Sequence, residues 1–388
     1  MFKAITRFSY PTPMIFGPGA IRTLPECLEE TGIKKPLLVT DPGILKADVF
    51  AKVDAVLKEK NWTYSLFSDV HPNPVEEDVE SAGKRYHAEK CDGVIGLGGG
   101  SAIDVAKAVA VRVAHDGPLT GFEAQVGGYK RITGPLAPIV AVPTTAGTGS
   151  EVGRSSVIMI PALGRKIIIF SPLLLPRRAI LDPELTVGLP PHLTAYTGMD
   201  AFTHNLESLT STEFHPICDA VALGGLELTI RYLERAVQNG GDIEARGYMM
   251  IAASMGAMAF QKDLGAAHSL AHPLSAEFGM QHGLANAIGL PAVMRFNRTA
   301  AAKAYARAAA LFGIDTFGMP DEKAADRAVQ AVTDLNRRIG IPARLRECRI
   351  PEESLPKLAK KAFEDSCHLT NPRPCSEEDL LNLYQEIW

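Results

Sequence analysis

The sequence predicts an α/β domain followed by an all-helical domain, on three observations. Short β-rich runs alternate with helical patterns through the first half of the chain. Those runs stop after Leu181-Asp182-Pro183, and from Pro190 onward Ala-, Leu- and Met-rich stretches such as Tyr248 to Phe260 carry a helical pattern. The chain also has 388 residues and 46% hydrophobic content, too much for one small domain and enough for two at roughly 100–200 residues each.

The first half resolves into elements in order. Pro36 to Thr40 (PLLVT) is a β-rich run ended by the turn Asp41-Pro42-Gly43, and a helical stretch follows at about residues 47–59. Thr63 to Phe67 reads as a second strand. Val75 to Lys90 reads as a helix whose acidic first turn suits its dipole. Val94 to Leu97 is a third strand, Ala102 to Val113 a third helix, and Ile139 to Val142 a fourth strand. Strands alternating with helices imply a mostly parallel sheet. The boundary falls near Gly188-Leu189-Pro190-Pro191, giving domains 1–188 and 189–388, and a cleft between two such domains is a usual place for a ligand.

Bulk properties exclude several classes. The net charge is −4 with no long basic run, so nucleic acid is not the expected partner. No apolar stretch approaches the length of a membrane span, and the N-terminal MFKAITRFSYPTP lacks the apolar core of a signal peptide. The six cysteines are scattered without a CxxC pair and read as reduced thiols of a cytoplasmic protein.

Two glycine loops follow strands. In VIGLGGGSAIDVAK (Val94 to Lys107), four glycines in five positions let the backbone approach a ligand, and the following helix N-terminus favours an anion such as phosphate. The loop is not a Walker A motif, because no Gly-Lys-Ser/Thr follows. It approximates a GxGxxG fingerprint as Gly96, Gly98 and Ser101, with Ser replacing the third Gly. The acidic residue expected about 20 positions on would be Asp116, which sits in a turn rather than at a strand end. The second loop, VPTTAGTGSE (Val142 to Glu151), offers the hydroxyls of Thr144, Thr145, Thr148 and Ser150, either as a ligand cradle or as helix caps. Two such loops after strands of one sheet converge at its carboxyl edge, where α/β proteins bind ligands.

The helical half holds a carboxylate and histidine constellation. Asp200 and His204 are four apart in TGMDAFTHNLE, and His268 and His272 are four apart in AAHSLAHPLSAEFGMQHG. That spacing puts each pair on one helical face. His282 follows at a bend. One carboxylate with two or three imidazoles suits a divalent ion such as Fe²⁺ or Zn²⁺. Spacing alone selects Asp200, His204, His268 and His272, with His282 spare. No cysteine lies near these positions in sequence, which argues against a structural zinc cluster. The remaining histidines (71, 87, 115, 192, 215 and 368) lack a partner at ligand spacing and read as surface or capping residues.

Together these stretches resemble the iron-containing, or group III, alcohol dehydrogenases. The resemblance is collinear, from PTPMIFGPGA through HPNPVEEDVE, GLGGGSAIDVAK, VPTTAGTGSEV, LDPELTVGLPP, TGMDAFTHNLE and AAHSLAHPLSAEFGMQHGLANAIGLP to TNPRP. It implies a Rossmann-like N-terminal domain and an all-α C-terminal domain, the plan shared with dehydroquinate synthases. It implies hydride transfer between NAD(H) and a small alcohol or aldehyde, with Fe²⁺, or alternatively Zn²⁺, held by Asp200, His204, His268 and His282. That replaces His272 by His282 in the ligand set and leaves His272 near the nicotinamide and substrate as a proton relay. It implies pyrophosphate binding by Gly98, Gly99, Gly100 and Ser101, with Thr144, Thr145, Ser150, Asn73 and Lys166 lining the cofactor. Asp41 matches a position beside the adenosine ribose, where a carboxylate favours NAD(H) over NADP(H). A homo-oligomer, by family pattern a dimer, is the expected assembly.

The sequence departs from the family at Ser275, where Gly is usual. Arg154, in EVGRSSVI, is a cation where substrate-pocket residues begin. An acidic substrate such as a hydroxy acid or semialdehyde is one reading of it, and a solvated Arg or a domain-joining ion pair is the other. The competing activity is a dehydroquinate synthase-like, metal- and NAD-dependent lyase. Its sugar-phosphate substrate calls for clustered Lys and Arg in the helical half, and Asp200 to Gly283 carries no such cluster. A non-catalytic, filament-forming protein would not need an intact ligand set.

Overall fold

The computed structural model describes residues 12–388, and the N-terminal segment read above for a signal peptide lies almost wholly outside them. Of the described residues, 12–189 form one compact unit and Pro190–Trp388 another.

In the first unit, strands β1 (Met14–Phe16), β2 (Pro36–Val39), β3 (Ser65–Phe67), β4 (Gly93–Gly98) and β5 (Ile139–Pro143) precede a hairpin of β6 (Ser155–Ile160) and β7 (Arg165–Phe170), and β8 (Arg178–Leu181) closes the set. Six of them make a parallel sheet in the order β1-β8-β5-β4-β2-β3, while β6 and β7 pair antiparallel. Helices α1 (Leu24–Glu30), α2 (Pro42–Lys46), α3 (Asp48–Glu59), α4 (Glu76–Ala88) and α5 (Gly100–Arg112) lie between strands. The pleat decides which helix meets which face. Leu38, Ile95, Leu97, Val140 and Ile180 point into a core with Leu24, Leu28, Val53 and Leu57 of α1 and α3. Leu37, Val39 and Val94 point the other way, to Val79, Val105 and Val109 of α4 and α5 and to Ile158 and Ile167 of the hairpin. Both faces are covered, which is why the central strands are buried at every position.

The alternation in the sequence located β2 to β5 and α3 to α5. It did not locate β1, β8 or the hairpin. The hairpin strands alternate in burial, but consecutive apolar residues, VIMI in β6 and IIIF in β7, hide that period in the sequence.

The second unit is helical: α6 (Pro191–Thr210), α7 (Pro216–Gln238), α8 (Ile243–Ala259), α9 (Ala266–Phe278), α10 (His282–Phe296), α11 (Ala302–Leu311), α12 (Asp321–Arg338), α13 (Leu355–Glu364) and α14 (Glu377–Ile387). α6 packs against α7, α8 and α10, and α9 against α10 and α13. No described helix is long and apolar enough to cross a membrane.

Candidate active site

The histidine segment is two helices. α9 stops at Gly279, whose φ of 64° is a left-handed C-cap that glycine adopts without strain. Gln281 then caps α10, its side-chain oxygen accepting from the Leu284 amide at 2.7 Å, so His282 is the first residue of the next helix. The chain reversal between the two helices brings His282 back toward α6. Gly283 permits a close crossing there: a Cβ at this position would stand 2.0 Å from the Tyr196 carbonyl oxygen and 3.1 Å from Asp200 Cβ.

Asp200 Oδ1 is the hub. It lies 3.9 Å from His204 Nε2, 3.8 Å from His268 Nε2 and 3.5 Å from His282 Nε2. Four donors about 2.1 Å from one divalent ion in tetrahedral array stand roughly 3.4 Å apart; Asp200, His204 and His268 offer ligand atoms all within 4.8 Å of one another, near enough to share an ion, while His282 approaches the same Asp200 oxygen from outside that group. Asp200, His204 and His268 are buried, and His282 is more open with 23% of its side chain exposed. Burial pushes His268 down to about 4, against the pull of Asp200, and this keeps the imidazole neutral as a ligand must be.

Three residues outside the sequence-derived set complete this centre. Glu207 Oε2 takes a hydrogen bond from His268 Nδ1 at 2.6 Å, and Oε1 accepts from the Ala267 amide at 2.7 Å. Burial raises the Glu207 carboxyl to about 7, with the backbone amides of Ala267 and Gly265 opposing the rise. Asn286 Nδ2 donates to Asp200 Oδ1 at 2.9 Å and lies 3.3 Å from both His268 Nε2 and His282 Nε2. Asp365 Oδ2 lies 2.8 Å from His272 Nδ1, while Oδ1 accepts from Ser269 Oγ at 2.9 Å and the Cys367 amide at 2.8 Å. Burial would raise the Asp365 carboxyl, but His272 and the hydrogen bonds from Cys367 and Ser269 hold it well below the usual carboxylate range.

Sequence signals for these residues differ. Glu207 is seven residues after Asp200 on the same face of α6, and Asn286 is four after His282 on α10, so helical period could have found both. Asp365 is 93 residues from His272 and carries no local signal. Cys367 also joins this region, with ligand atoms of His272, Asp365 and Cys367 all within 4.8 Å of one another, although it lies far from His272 in sequence. His272 stacks on His282 with ring centroids 5.3 Å apart. Of the other histidines, His215 caps α7 by accepting from the Cys218 amide at 3.2 Å. His368 is buried rather than on the surface, with Nε2 2.9 Å from the Phe363 carbonyl.

In the first unit, the glycine loop runs from the end of β4 into α5. Gly98 has φ 146°, and a Cβ there would meet Ala102 Cβ at 2.9 Å and Asp41 Oδ2 at 3.4 Å. α5 begins with no side chain capping its first amides, which leaves them for an anion. Ser101 Oγ donates to the Pro72 carbonyl at 2.6 Å. The second loop docks on the first through the Thr144 amide, which donates to the Gly98 carbonyl at 2.9 Å. Among the described residues, Thr144 Oγ1 is buried without a hydrogen-bond partner. Lys166 Nζ donates to Asn73 Oδ1 at 3.1 Å. Asp41 Oδ1 caps α2 through the Gly43 and Ile44 amides at 2.8 and 3.0 Å. Ser150 Oγ is held by Asp104 and Lys107 at 2.6 and 2.8 Å. Arg154 lies over the Phe170 ring, 5.2 Å from its centroid.

Comparison with known proteins agrees with this chemistry. Residues 11–183 match the family model described as iron-containing alcohol dehydrogenase, and residues 194–388 match the C-terminal model of the Fe-containing alcohol dehydrogenase family. The chain is 42% identical over 378 residues to a 4-hydroxybutyrate dehydrogenase of Cupriavidus necator, covering 95% of this chain and 96% of the relative. It is 35% identical over 380 residues to an NAD-dependent methanol dehydrogenase of Bacillus methanolicus, covering 98% and 99%. A crystal structure of 1,3-propanediol oxidoreductase superposes with a TM-score of 0.94 at 37% identity, covering 99% of this chain and 100% of the other.

Proposed function

The chain belongs to the iron-containing alcohol dehydrogenase family, and from that premise we propose how its residues divide the work of an NAD-dependent alcohol dehydrogenase and aldehyde reductase. Asp200, His204, His268 and His282 hold the divalent ion. The observation that carries this reading is the approach of three imidazole Nε2 atoms to 3.5–3.9 Å from one buried carboxylate oxygen. When bound, the ion supplies Lewis acidity toward the hydroxyl or carbonyl oxygen, and the nicotinamide accepts or supplies the hydride. Glu207 accepts the Nδ1 proton of His268 and so turns the Nε2 lone pair toward Asp200. His272 carries the proton between substrate and solvent. The ionised Asp365 takes its Nδ1–H and leaves Nε2 to accept and release that proton.

Gly98 to Ser101 and Thr144 to Thr145 bind the dinucleotide, with Asn73 and Lys166 beside it. Asp41 selects NAD(H): one carboxylate oxygen caps α2, and the charge disfavours a 2′-phosphate. The substrate class includes short ω-hydroxy acids and their semialdehydes. The Cupriavidus necator relative and the cationic Arg154 support this reading. The test is a comparison of kcat/KM for 4-hydroxybutyrate and for 1-butanol, its uncharged counterpart, in the wild type and in Arg154→Ala. The hydroxy acid is expected to be preferred, with the preference falling in the variant. Equal kcat/KM for both substrates would contradict the proposal.

The same reading takes the enzyme as a cytoplasmic homodimer. Free cysteines and the exposed Met14 and Phe16 of the edge strand β1 support it. Sedimentation of the wild type as a monomer would contradict the dimer.

A further inference from the structure

The TNPRP segment near the C-terminus holds none of the metal, cofactor or proton-transfer residues. Its Asn371 is nevertheless buried and uses its full hydrogen-bonding capacity. Oδ1 accepts from the Ala266 amide at 3.2 Å and from Asn297 Nδ2 at 2.9 Å. Nδ2 donates to Asn297 Oδ1 at 2.7 Å and to the Arg373 carbonyl at 2.6 Å. Backbone groups fix the sense of this amide. The N–H of Ala266 requires the oxygen on its side, and the carbonyl of Arg373 requires the nitrogen on the other. Asn297, also buried, then has one complementary orientation.

The amide pair joins the two helices that carry His268 and His282. Ala266 begins α9, two residues before His268, and Asn297 caps the far end of α10, the helix that His282 begins. The N-cap of α9 is Gly265, which has no side chain to satisfy the first amides of that helix. They are capped from elsewhere, Ala266 by Asn371 and Ala267 by Glu207. Gly265 leaves room for both caps, since a Cβ there would stand 2.7 Å from Glu207 Oε1 and 3.1 Å from Asn371 Oδ1. The chain leading into Asn371 grips either side of the same turn. Thr370 Oγ1 donates to the Leu264 carbonyl at 2.7 Å, and the His368 amide donates to Ser269 Oγ at 2.9 Å. Side chains from α6 and from the TNPRP segment therefore place the first turn of α9, and His268 with it.

We propose that Asn371, locked by Asn297, is a positioning residue of the metal centre, which holds the first turn of α9 so that His268 Nε2 faces Asp200. It acts through that helix rather than on the ion. This rests on the reading of His268 as a metal ligand.

The test is metal affinity. The Zn²⁺ Kd is measured by competition with a chromophoric chelator in N371D, N371A, N297A and N297A/N371A, with H268A as the control on the ligand itself. The visible spectrum of the Co²⁺-loaded protein, NADH affinity and thermal melting are recorded alongside. N371D keeps the volume and the acceptor for Ala266 but sets an oxygen against the Arg373 carbonyl and Asn297 Oδ1, where only a donor fits. N371D and N371A are expected to raise the Zn²⁺ Kd about tenfold and to alter the Co²⁺ spectrum, with NADH affinity unchanged. N297A, which keeps the cap but removes its lock, should raise Kd about threefold or more. The double variant should be no worse than N371A, because the two amides act as one unit. N297A carries the test if the Asn371 variants do not fold. Wild-type Zn²⁺ affinity and Co²⁺ spectrum in these variants, with H268A poor in metal, would overturn the proposal even if melting temperatures fall. A parallel loss of NADH affinity would also overturn it, because it marks a general loosening of the fold. Full metal retention in H268A would instead remove the ligand reading, and the role of Asn371 with it.

Discussion

Glu207 Oε2 stands 2.6 Å from His268 Nδ1, and both side chains are buried. When Glu207 is ionised it can only accept, which puts the imidazole proton on Nδ1 and turns the lone pair on Nε2 toward Asp200. Glu207→Gln replaces that acceptor with an amide that can present either face. Its affinity for Zn²⁺ or Fe²⁺ is expected to fall about 10–100-fold, read by competition with a chromophoric chelator. Wild-type affinity in this variant would show that Glu207 is only a packing residue.

Gly283 admits the crossing of α10 over α6. An alanine Cβ would clash with the Tyr196 carbonyl at 2.0 Å, and rigid backbone cannot yield as a flexible side chain can. Gly283→Ala should cost about 1–3 kcal/mol of stability and move His282 away from Asp200. Metal content and melting temperature should therefore fall together. A variant that melts normally and keeps a full equivalent of metal would contradict the geometry.

Asp41 has a local role and a proposed cofactor role that can be separated. Asp41→Ser keeps an N-cap for α2 and removes the charge. Its melting temperature should stay near the wild-type value while the ratio of kcat/KM for NADH over NADPH falls by about tenfold or more. A wild type that already prefers NADPH, or a ratio unmoved by the substitution, would count against the assignment.

Asp365 orients His272 through a 2.8 Å hydrogen bond. Asp365→Asn should lower kcat by about 10²-fold or more, the scale of a misplaced general acid–base, without loss of metal. A KM effect alone, with kcat intact, would show that the pair shapes the pocket rather than the proton transfer.

The sequence revealed what is periodic or local. Alternating runs located β2 to β5, and the glycines after β4 marked an anion site, because strand, turn and helix are contiguous. The i, i+4 rule paired His268 with His272 because both lie on α9. It had no means of placing His282, since the reversal at Gly279 separates it from that helix and its geometry depends on α6. Glu207 and Asn286 lie on the helical period of Asp200 and His282, but that period does not separate a residue that hydrogen-bonds a ligand from one that shares its face. Asp365 and Cys367 reach His272 through the packing of α9 on α13, which no spacing encodes. The hairpin strands alternate in burial, but their runs VIMI and IIIF are apolar at every position, so the sequence carries no period of 2 there.

The division of labour within one short segment, with His268 and His282 on the metal and His272 on the proton, is tested most directly by metal content. Bound Fe²⁺ or Zn²⁺ is to be measured by elemental analysis in H268A, H272A and H282A, each purified alike and reconstituted with the same ion. H268A and H282A are expected to lose metal and NADH-linked turnover together, while H272A keeps close to one equivalent per chain and loses turnover. An H272A protein as metal-free as H268A, or an H282A protein that retains its full equivalent, would contradict the account.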